Sequence, residues 1–186
     1  ITKEPIARQE QLIKDASCQE VFSDAVSFEK DEADAEAATA AMQAAGYTVQ
    51  TLDEILIAKD ASGEALGYVL SITDPEGYGG DISFMMGIRM DGTLNGISIL
   101  SISETAGLGM RAKTDPAFLA QFNGASVDKF TVVKDGTGSS SEDKIDAIGG
   151  STVTSKAVTK GINTALAVFK ELKSENVKTV GGASIE

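Results

Sequence analysis

Histidine and tryptophan are absent from this chain of 186 residues, cysteine occurs once and proline three times. Without histidine the chain cannot build a Ser-His-Asp triad, a His-ligated zinc site or a His-bound haem. The lone Cys18 forms no internal disulfide and holds no iron–sulfur cluster by itself, so we expect it to be a small buried residue. Catalysis or redox chemistry must therefore use hydroxyls, carboxylates, lysines, tyrosines or an organic cofactor.

Long apolar runs are also missing. No stretch approaches the roughly 18 apolar residues that a transmembrane helix needs, so we expect a soluble chain. The first residue is Ile1 and not methionine, which indicates a processed or shortened chain. A signal peptide and a membrane anchor both stay open for the upstream segment.

Basic residues are outnumbered, and the net charge of −12 argues against nucleic acid or an anionic membrane surface as the main partner. The composition, with 42% hydrophobic and 24% charged residues, is typical of a globular protein. The length suits one domain, or at most two.

Hydrophobic periodicity predicts two helices, over residues 4–22 and 32–45, followed by four strands with period two. These strands cover residues 54–58, 67–72, 81–90 and 94–103, and they form an antiparallel meander with Met85, Met86 and Met90 in its core. A short helix ending near Phe122, a strand over 129–133 and an extended piece over 145–148 come next. An amphipathic helix is predicted over 151–173.

The predicted fold class is therefore α+β, an antiparallel sheet with flanking helices. We divide the chain into a helical segment over 1–50, a sheet domain over 51–174 and a flexible tail over 175–186.

The densest signal for a site lies at the start of the last helix, in the sequence Asp-Ala-Ile-Gly-Gly-Ser-Thr-Val-Thr-Ser-Lys at positions 146–156. Glycines let a ligand approach closely, and a helix N-terminus attracts phosphate through its free N–H groups and its dipole. The candidate ligand-binding residues are Gly149, Gly150, Ser151, Thr152, Thr154, Ser155 and Lys156. A glycine-rich turn capped by Ser151 or Thr152, without any ligand, is the alternative. The spacing is that of neither a Walker loop nor a dinucleotide fingerprint.

This segment resembles the flavinylation motif, Asp-x-x-Ser/Thr-Gly-Ala/Ser-Thr, of the FMN-binding domains in RnfG of the Rnf complex and in NqrC of the sodium-pumping NADH:quinone reductase. The resemblance implies that the FMN phosphate is esterified to Thr152. Two positions depart from the usual pattern, since Gly149 replaces a serine or threonine and Ser151 stands where alanine is commoner.

Three further motifs resemble the same family in order along residues 66–172. They are Gly-Tyr-Gly-Gly-Asp-Ile at 77–82 with the hairpin at 91–92, Ser-Glu-Thr-Ala-Gly-Leu-Gly at 103–109, and Phe-Leu-Ala-Gln-Phe at 118–122. Residues 2–6 are also similar to the stretch that follows the family's membrane helix.

The resemblance also implies which residues line the flavin: Tyr78, Gly79, Glu104, Thr105, Leu108 and Gly109. Each has a plain alternative, because Tyr78 can pack within its loop and Glu104 can be solvated. Arg111 and Lys113 face either the phosphate or water. Asp146 either serves recognition by the flavin-attaching enzyme or only ends a strand.

The function implied by the resemblance is that of an extracytoplasmic electron carrier with covalent FMN and no turnover of its own, in an ion-translocating ferredoxin:NAD+ oxidoreductase complex. Implied partners are the other membrane subunits and a flavin transferase, with no nucleic acid and no metal, and membrane association through an N-terminal helix missing from this chain. The short chain favours the RnfG type over the NqrC type. A non-redox module that binds a phosphate ligand and a flavin reductase module are the alternatives.

Overall fold

A computed structural model of the protein describes residues 3–181. A five-stranded antiparallel sheet has the order β1-β2-β3-β4-β5, so each strand pairs with its neighbour in sequence. The strands are β1 (Ser27–Lys30), β2 (Thr51–Lys59), β3 (Ala65–Gly77), β4 (Gly80–Arg89) and β5 (Leu94–Ser101). The predicted antiparallel meander and the α+β class are confirmed, and β1 is an additional edge strand that pairs with β2.

Helices cover both faces of this sheet. They are α1 (Lys3–Val21), α2 (Ala35–Ala44), α3 (Arg111–Thr114), α4 (Pro116–Ala120) and α5 (Thr152–Gly181). The larger hydrophobic core joins one sheet face to α2 and α5, through residues such as Met42, Met86 and Ile162. The smaller core joins the other face to the end of α1 through Cys18, Val21 and Met85. Within the described part of the chain, none of the helices has the length and apolar character needed to cross a membrane.

The region between β5 and α5 holds a small parallel pair, β6 (Thr131–Val133) and β7 (Lys144–Asp146). Both strands are shorter than predicted because side chains take over the neighbouring backbone hydrogen bonds. Asn163 of α5 accepts from the Phe130 N–H at 2.8 Å and donates to its carbonyl at 3.0 Å. The Ile148 N–H donates to the Ser155 hydroxyl at 2.9 Å, which ends β7 before the predicted residue.

Helix boundaries differ from the sequence prediction in two places. The short helix predicted to open at Asp115-Pro116 and to end near Phe122 is α4, which Asp115 caps by accepting from the Ala117 N–H at 3.0 Å, and α3 before it is an additional helix. The last helix continues to Gly181, beyond the predicted end at residue 173. Part of the predicted tail, residues 182–186, lies outside the described residues, as does Thr2 of the N-terminal motif.

A buried polar cluster lies where β3 faces α5. Asp74 is fully buried, and its carboxylate accepts from the Gln50 amide at 3.0 Å and from the Glu76 N–H at 2.8 Å. Burial raises the pKa of Asp74 above its ordinary value, although both hydrogen bonds oppose the shift. Lys160 of α5 pairs with Glu76 at the exposed side of the cluster.

Candidate functional site

Helix α5 begins at Thr152, directly after a turn through two exposed glycines. Gly150 has a φ of +77°, a conformation that favours glycine, and it lets the chain reverse between β7 and the helix. The Ser151 N–H donates to the Ile148 carbonyl at 2.9 Å, and the Ser155 N–H donates to the Ser151 carbonyl at 3.0 Å. These bonds fix the first turn of the helix.

The N-terminal N–H groups of α5 are available to an anion. Ser155 is the first residue whose N–H bonds back into the helix, so the N–H groups of Thr152, Val153 and Thr154 precede the internal ladder. The helix dipole adds about half a positive charge at the same place.

A cavity of about 510 Å³ lies at this helix start. Three separate segments line it: Tyr78 from the β3–β4 turn, the stretch from Glu104 to Gly109, and the stretch from Gly150 to Thr154. Most of the residues that the sequence predicted as flavin neighbours are thus brought together, although they lie up to 76 positions apart in the chain. We call this space the Thr152 cavity.

The hydroxyl residues at the helix start differ in exposure. Ser151, Thr154 and Ser155 are buried, whereas Thr152 is half-buried at the cavity wall. Among these four hydroxyl residues, Thr152 is therefore the one that is not buried.

Ser151 holds an unpartnered hydroxyl. Its oxygen is buried and has no hydrogen-bond partner among the described residues, although the residue lines the cavity. Buried polar atoms in folded proteins almost always have a partner. An orphaned hydroxyl next to free helix N–H groups fits an oxygen-rich group such as a phosphate.

The wall opposite Thr152 is packed closely around Gly109. A Cβ at that position would lie 2.6 Å from the Thr154 hydroxyl oxygen and 2.7 Å from the Glu104 Cβ. Any side chain here would push the two walls apart, so glycine keeps the 104–109 segment against α5.

Glu104 links two walls of the cavity. Its Oε1 accepts a hydrogen bond from the Gly79 N–H at 3.2 Å, which joins the β3–β4 turn to the 104–109 segment. Among the described residues, Glu104 is also the one acidic or basic side chain that lines this cavity.

The mouth of the cavity is apolar and exposed. Tyr78, Leu108 and Val153 expose 76%, 45% and 51% of their surface. Large apolar side chains with this much exposure suit contact with a flat apolar ring. Sequence reasoning missed Val153, although an apolar residue off the buried stripe of α5 is a usable signal.

Four of the predicted site residues do not line this cavity: Gly79, Gly149, Ser155 and Lys156. Gly79 contacts Glu104 through its N–H. The Ser155 hydroxyl donates to the Ser151 carbonyl at 2.8 Å and accepts from Ile148, so its hydrogen bonds lie within the protein. Lys156 is exposed. Of the two further cations considered, Lys113 is exposed, and Arg111 pairs with Asp115 at 3.2 Å.

A second cavity, of about 610 Å³, borders the stretch from Asp146 to Gly149 just before the helix. Charged residues of both signs line it, including Arg111, Asp115, Glu142 and Lys144. We call it the Asp146 cavity.

Comparison with known proteins finds the same family that the sequence motifs resemble. The sequence model of the FMN-binding domain matches residues 77–167, which include all three segments of the Thr152 cavity.

Two relatives are subunits of redox complexes. Over 123 residues the chain is 40% identical to the G subunit of the Na(+)-translocating ferredoxin:NAD(+) oxidoreductase complex of Acetobacterium woodii, covering 66% of this chain and 58% of that protein. Over 103 residues it is 41% identical to the G subunit of the proton-translocating ferredoxin:NAD(+) oxidoreductase complex of Clostridium ljungdahlii, covering 55% and 53%. The chain thus spans a little over half the length of these relatives.

Solved structures share the fold. The C subunit of the Na(+)-translocating NADH-quinone reductase of Parabacteroides distasonis aligns with a TM-score of 0.53 and 23% identity, covering 72% of this chain and 67% of that one. NqrC of Shewanella oneidensis aligns with a TM-score of 0.51 and 22% identity, covering 65% and 61%.

Proposed function

We propose that this chain, whose residues 77–167 match the model of the FMN-binding domain, carries FMN, esterified through its phosphate to Thr152, as an electron-transfer subunit of an ion-translocating oxidoreductase complex. The identity to two G subunits favours that type over a subunit of the NADH-quinone reductase, because the solved structures support the fold alone.

The difference in exposure among the hydroxyls carries this proposal. An acceptor of a phosphoryl group must be reachable, and Thr152 is half-buried at the cavity wall while Ser151, Thr154 and Ser155 are buried. Its place at the first position of α5 sets the new phosphodiester against the free N–H groups of the helix. The dipole there stabilises a negative charge by about 0.3–1 kcal/mol when exposed and up to about 2 kcal/mol when partly buried.

Attachment is a group transfer that balances with FAD as the donor. The Thr152 hydroxyl oxygen attacks the phosphorus of the FMN half, the bond to the bridging oxygen of the diphosphate breaks, and AMP leaves. The hydroxyl loses its proton in this step. A flavin transferase supplies FAD and the catalytic groups, so this chain contributes only the acceptor and its surroundings.

The remaining residues of the cavity bind and orient the cofactor. The helix N–H groups and the Ser151 hydroxyl would donate to the phosphate, and Leu108 and Val153 would offer apolar contact to the ring system. Bound FMN itself supplies one-electron chemistry, which explains how a chain without histidine can serve in electron transfer.

The proposal also assigns a location. As a G-type subunit the domain would work on the extracytoplasmic face of the membrane, next to the membrane subunits of its complex. The names of the relatives, which are subunits of ion-translocating complexes, support the association with a membrane complex, and the face of the membrane is part of the proposal alone.

Intact mass spectrometry tests the proposal. The chain co-expressed with a flavin transferase should gain the mass of FMN less one water, and the Thr152→Ala variant should gain nothing. Thr114→Ala, which alters an exposed threonine outside the cavity, is the matched control and should gain the full mass. Wild-type protein without the added mass, or an adduct that survives Thr152→Ala, contradicts the proposed attachment.

A further inference from the structure

The Gln121 side chain forms hydrogen bonds with the backbone of Asp146. It lies on the side of β7 that has no neighbouring strand among the described residues. The Asp146 N–H donates to the Gln121 Oε1 at 2.8 Å, and the Gln121 Nε2 donates to the Asp146 carbonyl at 3.2 Å. One side-chain amide thus satisfies both backbone groups of a residue, as a paired strand would.

The backbone that carries Gln121 is itself well fixed. Its neighbours Phe118 and Phe122 are buried and pack edge to face with ring centres 5.8 Å apart, and Phe122 packs on Phe130 at 5.0 Å. The Gln121 Nε2 also donates to the Phe118 carbonyl at 3.3 Å. The backbone that carries the Gln121 amide is therefore fixed by packing in the hydrophobic core.

Asp146 is fixed on its carboxylate as well. Its Oδ1 accepts from the Gly138 N–H at 2.9 Å, and a Cβ on Gly138 would lie only 2.6 Å from the Asp146 Cγ. The loop that contains Gly138 thus packs directly against the aspartate and leaves no room for a shift in that direction.

A short series of hydrogen bonds connects Asp146 to Thr152. The Ala147 N–H donates to the Val133 carbonyl at 2.9 Å. The Ile148 N–H donates to Ser155 of α5, whose hydroxyl donates in turn to the Ser151 carbonyl. The segment from Asp146 to Ser151 is thus tied both to the sheet and to the helix, and a displacement at its first residue reaches the residue before Thr152.

From these contacts we infer that Gln121 is a positioning residue for the attachment reaction: through the backbone of Asp146 it fixes the segment that presents the Thr152 hydroxyl. This inference rests on the proposed function. Gln121 lines the Asp146 cavity and not the Thr152 cavity, so it acts through Asp146 and not on the cofactor.

The test follows the rate of FMN transfer to the full chain by a purified flavin transferase supplied with FAD, measured by intact mass at several concentrations of the chain. Gln121→Met keeps the length of the side chain and removes both hydrogen bonds to Asp146 together with the one to the Phe118 carbonyl. Because a small misplacement of a reacting group strongly slows group transfer, kcat should fall by about tenfold or more while KM stays the same. Gln43→Met, at an exposed glutamine of α2, is the matched control and should leave both constants unchanged.

A second variant guards against loss of folding. Gln121→Glu keeps an acceptor for the Asp146 N–H and removes the donor to its carbonyl, so its kcat should lie between those of wild type and Gln121→Met.

Three results would overturn the inference. A kcat for either Gln121 variant equal to that of wild type removes the positioning role, and a raised KM with unchanged kcat assigns Gln121 to transferase binding. Wild-type protein that gains no FMN refutes the proposed function together with this inference, whereas wild type that gains FMN and variants that match it refute the inference alone.

Discussion

The Thr152 cavity and the Asp146 cavity border consecutive stretches of one segment, residues 150–154 and residues 146–149, yet their chemistry differs. The Asp146 cavity is the larger, at about 610 Å³ against about 510 Å³, and charged residues of both signs line it. The Thr152 cavity has one charged side chain, a half-buried hydroxyl and an exposed apolar mouth.

This difference teaches that volume does not identify the site. In the larger cavity most of the charged groups already have partners: Arg111 pairs with Asp115, Asp146 accepts from the Gly138 N–H, and Glu142 accepts from the Ser126 N–H. In the smaller cavity the Ser151 hydroxyl has none, and helix N–H groups are free. A ligand is needed where polar groups lack partners, which favours the smaller cavity.

The largest difference between the two cavities is expected from a substitution that fills the Thr152 cavity and leaves the Asp146 cavity unchanged. Gly109→Ala places a Cβ 2.6 Å from the Thr154 hydroxyl oxygen, so we expect a loss of stability of about 1–3 kcal/mol from overpacking and a loss of flavin. Urea unfolding and the visible absorbance of protein co-expressed with the transferase measure the two effects. Gly149→Ala is the control, because a Cβ there meets no atom within 4 Å. Flavin lost from Gly149→Ala and kept by Gly109→Ala would move the cofactor to the Asp146 cavity.

Two substitutions of Asp146 separate the structural role of its hydrogen bond from the role of its charge. Asp146→Ala leaves the buried Gly138 N–H without its acceptor, and we expect it to lower the free energy of unfolding by about 1–2 kcal/mol. Asp146→Asn keeps an acceptor oxygen and should unfold in urea as wild type does. An asparagine variant of normal stability that gains no FMN would show that the transferase reads the charge.

The pH dependence of stability should come from neither cavity but from Asp74. Because burial raises the pKa of Asp74 in the folded state, the unfolded chain ionises first as the pH rises. As the pH rises from the pKa of Asp74 in the unfolded chain to its higher pKa in the folded chain, the contribution of Asp74 to the free energy of unfolding therefore decreases. Above the folded-state pKa this contribution is constant. Asp74→Asn should lessen this decrease in urea unfolding between about pH 3 and pH 8, since an amide does not ionise in this range. Glu104→Gln is the control, and a larger effect from Glu104→Gln would contradict the assignment.

The smallest effect is expected for Arg111→Gln in the Asp146 cavity. Its pair with Asp115 is solvent-exposed, so the free energy of unfolding should change by less than about 0.5 kcal/mol. Attachment of FMN, followed by intact mass, should be unaffected. A marked loss of attachment would instead indicate that Arg111 faces the phosphate.

The sequence pattern was sufficient to predict the central meander, although the burial does not alternate: helices cover both faces of the sheet, so β3, β4 and β5 each bury several consecutive residues. Strand β1 was missed since Ser-Phe-Glu-Lys has one apolar residue and lies at the edge of the sheet. The predicted strands end at residue 72 and begin again at residue 81, yet β3 continues to Gly77, which pairs with Gly80 and leaves a turn of two residues. Register between strands, and not local composition, decides such boundaries.

The sequence indicated which segments line the Thr152 cavity better than it indicated what each residue does there. Resemblance grouped the segments around residues 78, 104–109 and 150–154, which the fold brings to one cavity. It assigned the attachment to Thr152 but also placed Ser155 among the cofactor-binding residues, although the Ser155 hydroxyl forms its hydrogen bonds within the protein. Gln121 lies in the motif at 118–122, but nothing local in the sequence indicates its contact with Asp146, which spans 25 positions.

The three walls of the Thr152 cavity also determine when it can exist. Segments as distant in the chain as Tyr78 and Thr154 line the same cavity, so bringing them together closes a long loop. The entropy lost in closing such a loop makes this step costly early in folding. The cavity is thus absent from an unfolded chain and complete only when α5 has docked on the sheet. Any molecule that recognises it distinguishes finished protein from nascent chain, and a ligand held there shifts the folding equilibrium toward the native state by mass action.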